Sequence, residues 1–114
     1  MNLTINGKEY ELKFGLKFIR SMDKLHEQTV EGIAFGLGLE IMTMQLEMKR
    51  ATILVDIIRA ATSHGKQPTA NEVEDYLEEL AVKDELNALF DEIKEATGNA
   101  PFLKQALNQN QKQK

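Results

Sequence analysis

Two histidines, His26 and His64, and two acidic groupings, Glu72 with Glu74 and Asp75 with Glu78 and Glu79, are the side chains best suited to chemistry. Histidine titrates near neutrality and binds metals. Paired carboxylates serve acid–base catalysis when a pocket shifts one of their pKa values. Neither pattern is complete. The histidines fall on separate elements, with no carboxylate or second His at metal-ligand spacing, and both are expected to be solvated or to cap a helix. The carboxylates fall on the water-facing side of a helix. There is no cysteine to act as a nucleophile, zinc ligand or disulfide partner, and no G-x-S-x-G. Gly36-Leu37-Gly38 is a two-glycine fragment in an apolar run, not a phosphate loop after a strand. We therefore expect no catalytic residue, cofactor or metal; the chain is read as a binding protein rather than an enzyme.

Three features suit binding. The apolar segment 33–48, interrupted by glycines, carries Phe35, Leu39, Met42, Met44 and Met48. Methionine is pliable and serves surfaces that repack around varied partners, although at helical spacing it also fills cores. Phe102, Leu103 and Leu107 precede a polar ending and form an amphipathic hook that can dock on a second copy, on another protein or back on its own domain. The third feature is charge. The net charge is −4, yet residues 70–100 hold ten acidic side chains against Lys83 and Lys94, for −8, while residues 101–114 return +3. That acidic stretch is a solvated face or meets a basic partner. It disfavours nucleic acid, whose binding rests on neutralising phosphates, and so counts against a helix-turn-helix reading of residues 69–93.

The elements that must position these residues follow from periodicity. Asn6-Gly7 between alternating runs marks a type I′ hairpin over residues 2–14. A two-residue loop sets Ile5 opposite Lys8, Leu3 opposite Tyr10 and Met1 opposite Leu12, with the apolar side chains on one face and Thr4, Glu9 and Glu11 on the other. A lone hairpin is marginal in water, so that face must pack on the rest. Helices are expected over 16–27, 30–47, 48–63, 71–80 and 83–97. In 30–47, with Thr29 as its cap, Gly32, Gly36 and Gly38 leave continuity open. Residues 48–63 are apolar around most of the circumference and belong at the centre. Thr69 and Glu72 stand at capping-box spacing. The stripes Val73–Leu80 and Val82–Ile93 are half a turn out of phase, which predicts a break near Ala81. Pro101 opens a short helix, and the polar stretch from Asn108 is expected to be disordered. The fold class is α+β, mostly α: an N-terminal β-hairpin packed on a bundle of about five helices. Residues 1–100 form one domain, and 101–114 a short helix and tail. No apolar run approaches the ~20 residues of a bilayer span, and no signal-peptide pattern opens the chain. A cytoplasmic protein is expected.

The hairpin from Thr4 to Gly15, followed by Phe18-Ile19-Arg20 and Asp23, resembles the opening of tail assembly chaperones from siphophages and prophages of low-GC Gram-positive bacteria. Gly36-Leu37-Gly38-Leu39, and Leu54, Ile57, Ile58, Ala60, Ala61 and Thr62 before Pro68, are similar to the rest of that pattern. The resemblance covers roughly residues 1–97, and its motifs determine fold rather than chemistry. It implies a non-enzymatic protein of the host cytoplasm, absent from the mature virion, that coats the tape measure protein and keeps it soluble until tube subunits polymerise around it. It further implies self-association into a homo-oligomer, and recruitment of the tail tube protein through a longer, frameshifted form. The alternative function is a structural adaptor retained in the particle.

Overall fold

The computed structural model describes residues 1–112, and the side chains of all of these except Val30, Ala34, Phe35 and residues 107–112. The chain opens with the expected hairpin, β1 (Asn2–Ile5) and β2 (Lys8–Glu11). Asn6 and Gly7 both take positive φ, 53° and 76°, as a type I′ turn demands. The register is Leu3 opposite Tyr10 and Ile5 opposite Lys8, and the Leu12 amide donates to the Met1 carbonyl at 2.8 Å. Leu3, Ile5, Tyr10 and Leu12 are buried on one face, while Thr4, Glu9 and Glu11 face water. Three polar clips hold the ribbon. The Asn6 amide donates to Glu72 at 3.3 Å, the Lys13 amide to the Ala61 carbonyl at 2.9 Å, and His64 Nε2 bonds the Glu11 carbonyl at 2.9 Å.

The helices are α1 (Leu16–Leu25), α2 (Gly38–Glu47), α3 (Ala51–Ala61), α4 (Ala70–Val82), α5 (Leu86–Asn99) and α6 (Pro101–Lys112). As its apolar circumference requires, α3 is central: Ile53, Leu54, Ile57, Ile58 and Ala61 are fully buried, and α1, α2 and α4 all pack on it. Thr62, a polar residue sealed beside them, spends its hydroxyl on the Ile58 carbonyl at 2.8 Å. β1 rests on α4, which begins with a complete Thr69–Glu72 capping box.

Between α1 and α2 the structure departs from the expected helix over 30–47. Residues Glu27–Val30 (β3) and Ile33–Gly36 (β4) form a second antiparallel hairpin, with Val30 opposite Ile33 and Glu27 opposite Gly36. Thr29 is therefore a strand residue, not a cap. The turn Glu31-Gly32 has φ 52° and 81°, the conformation of Asn6-Gly7. The other two glycines are where the ribbon closes on α1. A Cβ on Gly36 would stand 2.5 Å from Asp23 Cβ, and one on Gly38 would stand 2.4 Å from the Met22 carbonyl carbon. Asp23 then accepts the Gly38 amide at 3.0 Å, so α2 is capped by a side chain from α1. The glycines of 32–38 break the helix instead of being tolerated within it.

Other boundaries shift for identifiable reasons. Helix α3 starts at Ala51 rather than 48, because Lys49 takes φ 53°. The Lys49 amide donates to Leu46 and the Arg50 amide to Gln45, which is the Schellman ending of α2. The same ending separates α4 from α5: Asp84 has φ 60°, its amide donates to Ala81, and the Glu85 amide donates to Leu80. The predicted break is there, but Val82 lies before it and is 88% exposed instead of joining the stripe of Leu89, Phe90 and Ile93. Helix α6 continues through Lys112, into the stretch expected to be disordered; Gln and Lys are adequate helix formers.

Candidate partner-binding surface

The side chains with chemical potential are dispersed. His26, at the end of α1, places Nε2 3.4 Å from Asp56 Oδ2 on α3, whereas His64 is committed to the first hairpin through Glu11. Glu72 accepts from the Thr69 amide at 3.1 Å and from Asn6. These bonds, the Thr69 backbone first, hold its carboxyl below the usual 4.5, the direction opposite to what a general acid near neutrality needs. Glu79 pairs with Lys83 at 2.9 Å, and that contact raises the ammonium pKa above 10.5. Glu72, Asp75, Tyr76 and Glu79 border an open cleft of about 430 Å³ beneath the first turn. Burial, then Glu92, Glu85 and Glu79, pushes the Tyr76 phenol above 10.0. Among the described residues, no three His, Cys, Asp or Glu side chains converge as metal ligands.

The apolar candidates divide between core and surface. Leu39, Met42 and Leu103 are core residues, 5%, 1% and 0% exposed, so they build the domain rather than a contact surface. Met44, Met48 and Phe102 are 53%, 60% and 48% exposed. The side chains of Phe35 and Leu107 lie outside the described residues. Met44 and Met48 stand four residues apart at the end of α2, hence on one side of it. Met42, two residues from Met44, points inward.

Among the described residues, sequence reasoning missed five further exposed apolar side chains: Met1, Leu16, Leu25, Ile33 and Val82. Leu16 opens α1, whose fully buried side chains are Phe18 and Met22. Two residues separate Leu16 from Phe18, about 200° around the helix, and that phase difference was the available signal. Leu16 and Phe102 meet across a groove of about 340 Å³ between the start of α1, the end of α3 and the start of α6. Phe18, Ala60 and Ala61 also line it, together with Lys13, Lys17 and His64.

The exposed apolar side chains thus fall at the end of α2, in Met44 and Met48, and at the groove, in Leu16 and Phe102. No curated protein and no solved structure gives a significant match to the chain. A family model described as "Phage tail assembly chaperone protein, TAC" matches residues 2–111. The chain therefore belongs to the phage tail assembly chaperone family.

Proposed function

We propose that this chaperone binds the tape measure protein and keeps it soluble during tail morphogenesis, without catalysing a reaction. The observation that carries the reading is the exposure of Met44, Met48, Leu16 and Phe102 in a chain that matches the chaperone family over residues 2–111. A tape measure protein is long, helical and apolar. Holding it calls for adaptable apolar contacts of low specificity, and flexible methionine side chains suit that task. In this reading the protein acts in the host cytoplasm, self-associates along its client and is absent from the finished virion. The tail tube protein is recruited by a longer, frameshifted form.

Co-production with the tape measure protein tests this. The soluble fraction of the tape measure should rise when the chaperone is present. Met44→Ser combined with Met48→Ser should reduce that rise while far-UV circular dichroism stays unchanged. A tape measure equally insoluble with and without the wild-type chain would refute the reading.

A further inference from the structure

The groove between α1, α3 and α6 exists because α3 changes character at its end. Through most of its length α3 presents Ile and Leu to the interior, but at the groove it presents Ala60 and Ala61. Their short side chains leave open a space that larger ones would fill. Leu16 and Phe102 border that space and remain about half exposed, 53% and 48%. At about 340 Å³ the space lies within the range of preformed binding clefts, about 300–1,000 Å³.

Its electrostatics run against those of the rest of the chain. The net charge is −4, yet the ionisable side chains among the described lining residues are Lys13, Lys17 and His64, with no carboxylate. Lys13 lies 3.4 Å from Glu11, with both side chains about 60% exposed, and such a surface pair is weak. Lys17 has no hydrogen-bond or ion-pair partner among the described residues. The groove also adjoins the first turns of α1 and α6, neither of which contains an acidic residue, and the C-terminal end of α3, whose dipole opposes theirs, so the positive charge of the groove rests on its lysines.

The geometry points to a docking site for an amphipathic segment whose apolar ridge is flanked by Asp or Glu. The ridge seats between Leu16 and Phe102 over the alanines, and the flanking carboxylates meet Lys13 and Lys17. This narrows the client chemistry of the proposed chaperone role and rests on that reading for the biological source of the segment. It does not rest on it for the binding itself.

Two fluorescent helical peptides with one Leu ridge at i, i+3, i+4 and i+7 test this, one flanked by Glu and the other by Lys. Each is titrated against the full chain by anisotropy. The Glu-flanked peptide should bind about tenfold more tightly, two surface charge pairs together amounting to roughly 1.4 kcal/mol. Lys13→Glu with Lys17→Glu should reverse the preference, and Leu16→Ser should weaken both peptides with circular dichroism unchanged. Equal binding of the two peptides, or a preference that survives the double charge reversal, overturns the proposal. So does a charge reversal that changes only the sedimentation of the chain alone, because the occupant is then a second copy. The same variants in the tape measure co-production assay separate the two readings. A peptide preference without tape measure solubilisation defeats the chaperone role alone. Solubilisation with no peptide preference defeats the groove alone.

Discussion

Replacing Gly38 with Ala probes the junction on which the α1–β4–α2 arrangement depends. The new Cβ would lie 2.4 Å from the Met22 carbonyl carbon, 2.5 Å from the Asp23 amide nitrogen and 2.6 Å from the Met22 oxygen. All three are backbone atoms of α1, so no rotamer change relieves the overlap, and the two segments must separate by about an ångström. Overpacking of this kind costs about 1–3 kcal/mol. The separation also stretches the bond from the Gly38 amide to Asp23, 3.0 Å, and a hydrogen bond to a charged group contributes about 1.5–3 kcal/mol. Against these stands the helix-propensity gain of Ala over Gly, at most about 1 kcal/mol. The net expectation is a loss of about 2–4 kcal/mol, read as a lower urea midpoint by circular dichroism at 222 nm with an unchanged slope. Gly98→Ala is the matched control. It lies within α5 with nothing within 4 Å of its Cβ position, so only the propensity term remains, and the stability should rise by up to about 1 kcal/mol, read as a higher midpoint. A Gly38→Ala protein as stable as the wild type would refute the close-approach argument.

Three further outcomes follow from the same geometry. Lys49→Gly relieves a left-handed residue, φ 53°, at the end of α2; chemical denaturation should show a gain of about 0.5–1 kcal/mol, and a loss would mean the Lys49 side chain supports that turn. Glu72 has a lowered folded-state pKa, so its contribution is present above the usual 4.5 and disappears as pH falls through the folded value. The stability gap between wild type and Glu72→Gln should accordingly close in acid, and a pH-independent gap would contradict the assignment. Tyr76 has a raised pKa, so its contribution is present below 10.0 and is lost as pH climbs through the folded value. Tyr76→Phe should remove that part of the alkaline decline in melting temperature.

How much of this was legible in the residues depends on whether a feature is local. The first hairpin was readable down to its register, because Asn6-Gly7 names the turn and one buried face enforces a two-residue period. The centre of α3 and the Thr69–Glu72 box were readable for the same reason: the signal and its cause lie within a turn or two. The second hairpin was not. Among its described side chains, Glu27, Gln28, Thr29 and Ile33 are all exposed, so no alternation betrays it, and Glu at the first turn position is not a residue that advertises positive φ. Gly36 and Gly38 make sense only once α1 is known to lie against them. The candidate site suffered from the same limit. Met42 and Met44 look alike in sequence and differ in fate because α2 begins at Gly38, which sets the phase. Phe102 and Leu103 are neighbours on α6, one at a groove and one in the core, and the difference comes from helices remote in sequence.

Refolding of the tape measure protein tests the central claim most directly. Tape measure protein diluted out of urea is followed by light scattering with and without the purified chain, and the chain should suppress scattering in proportion to its concentration and remain with the soluble client on gel filtration. Identical scattering at every chaperone concentration would contradict the account.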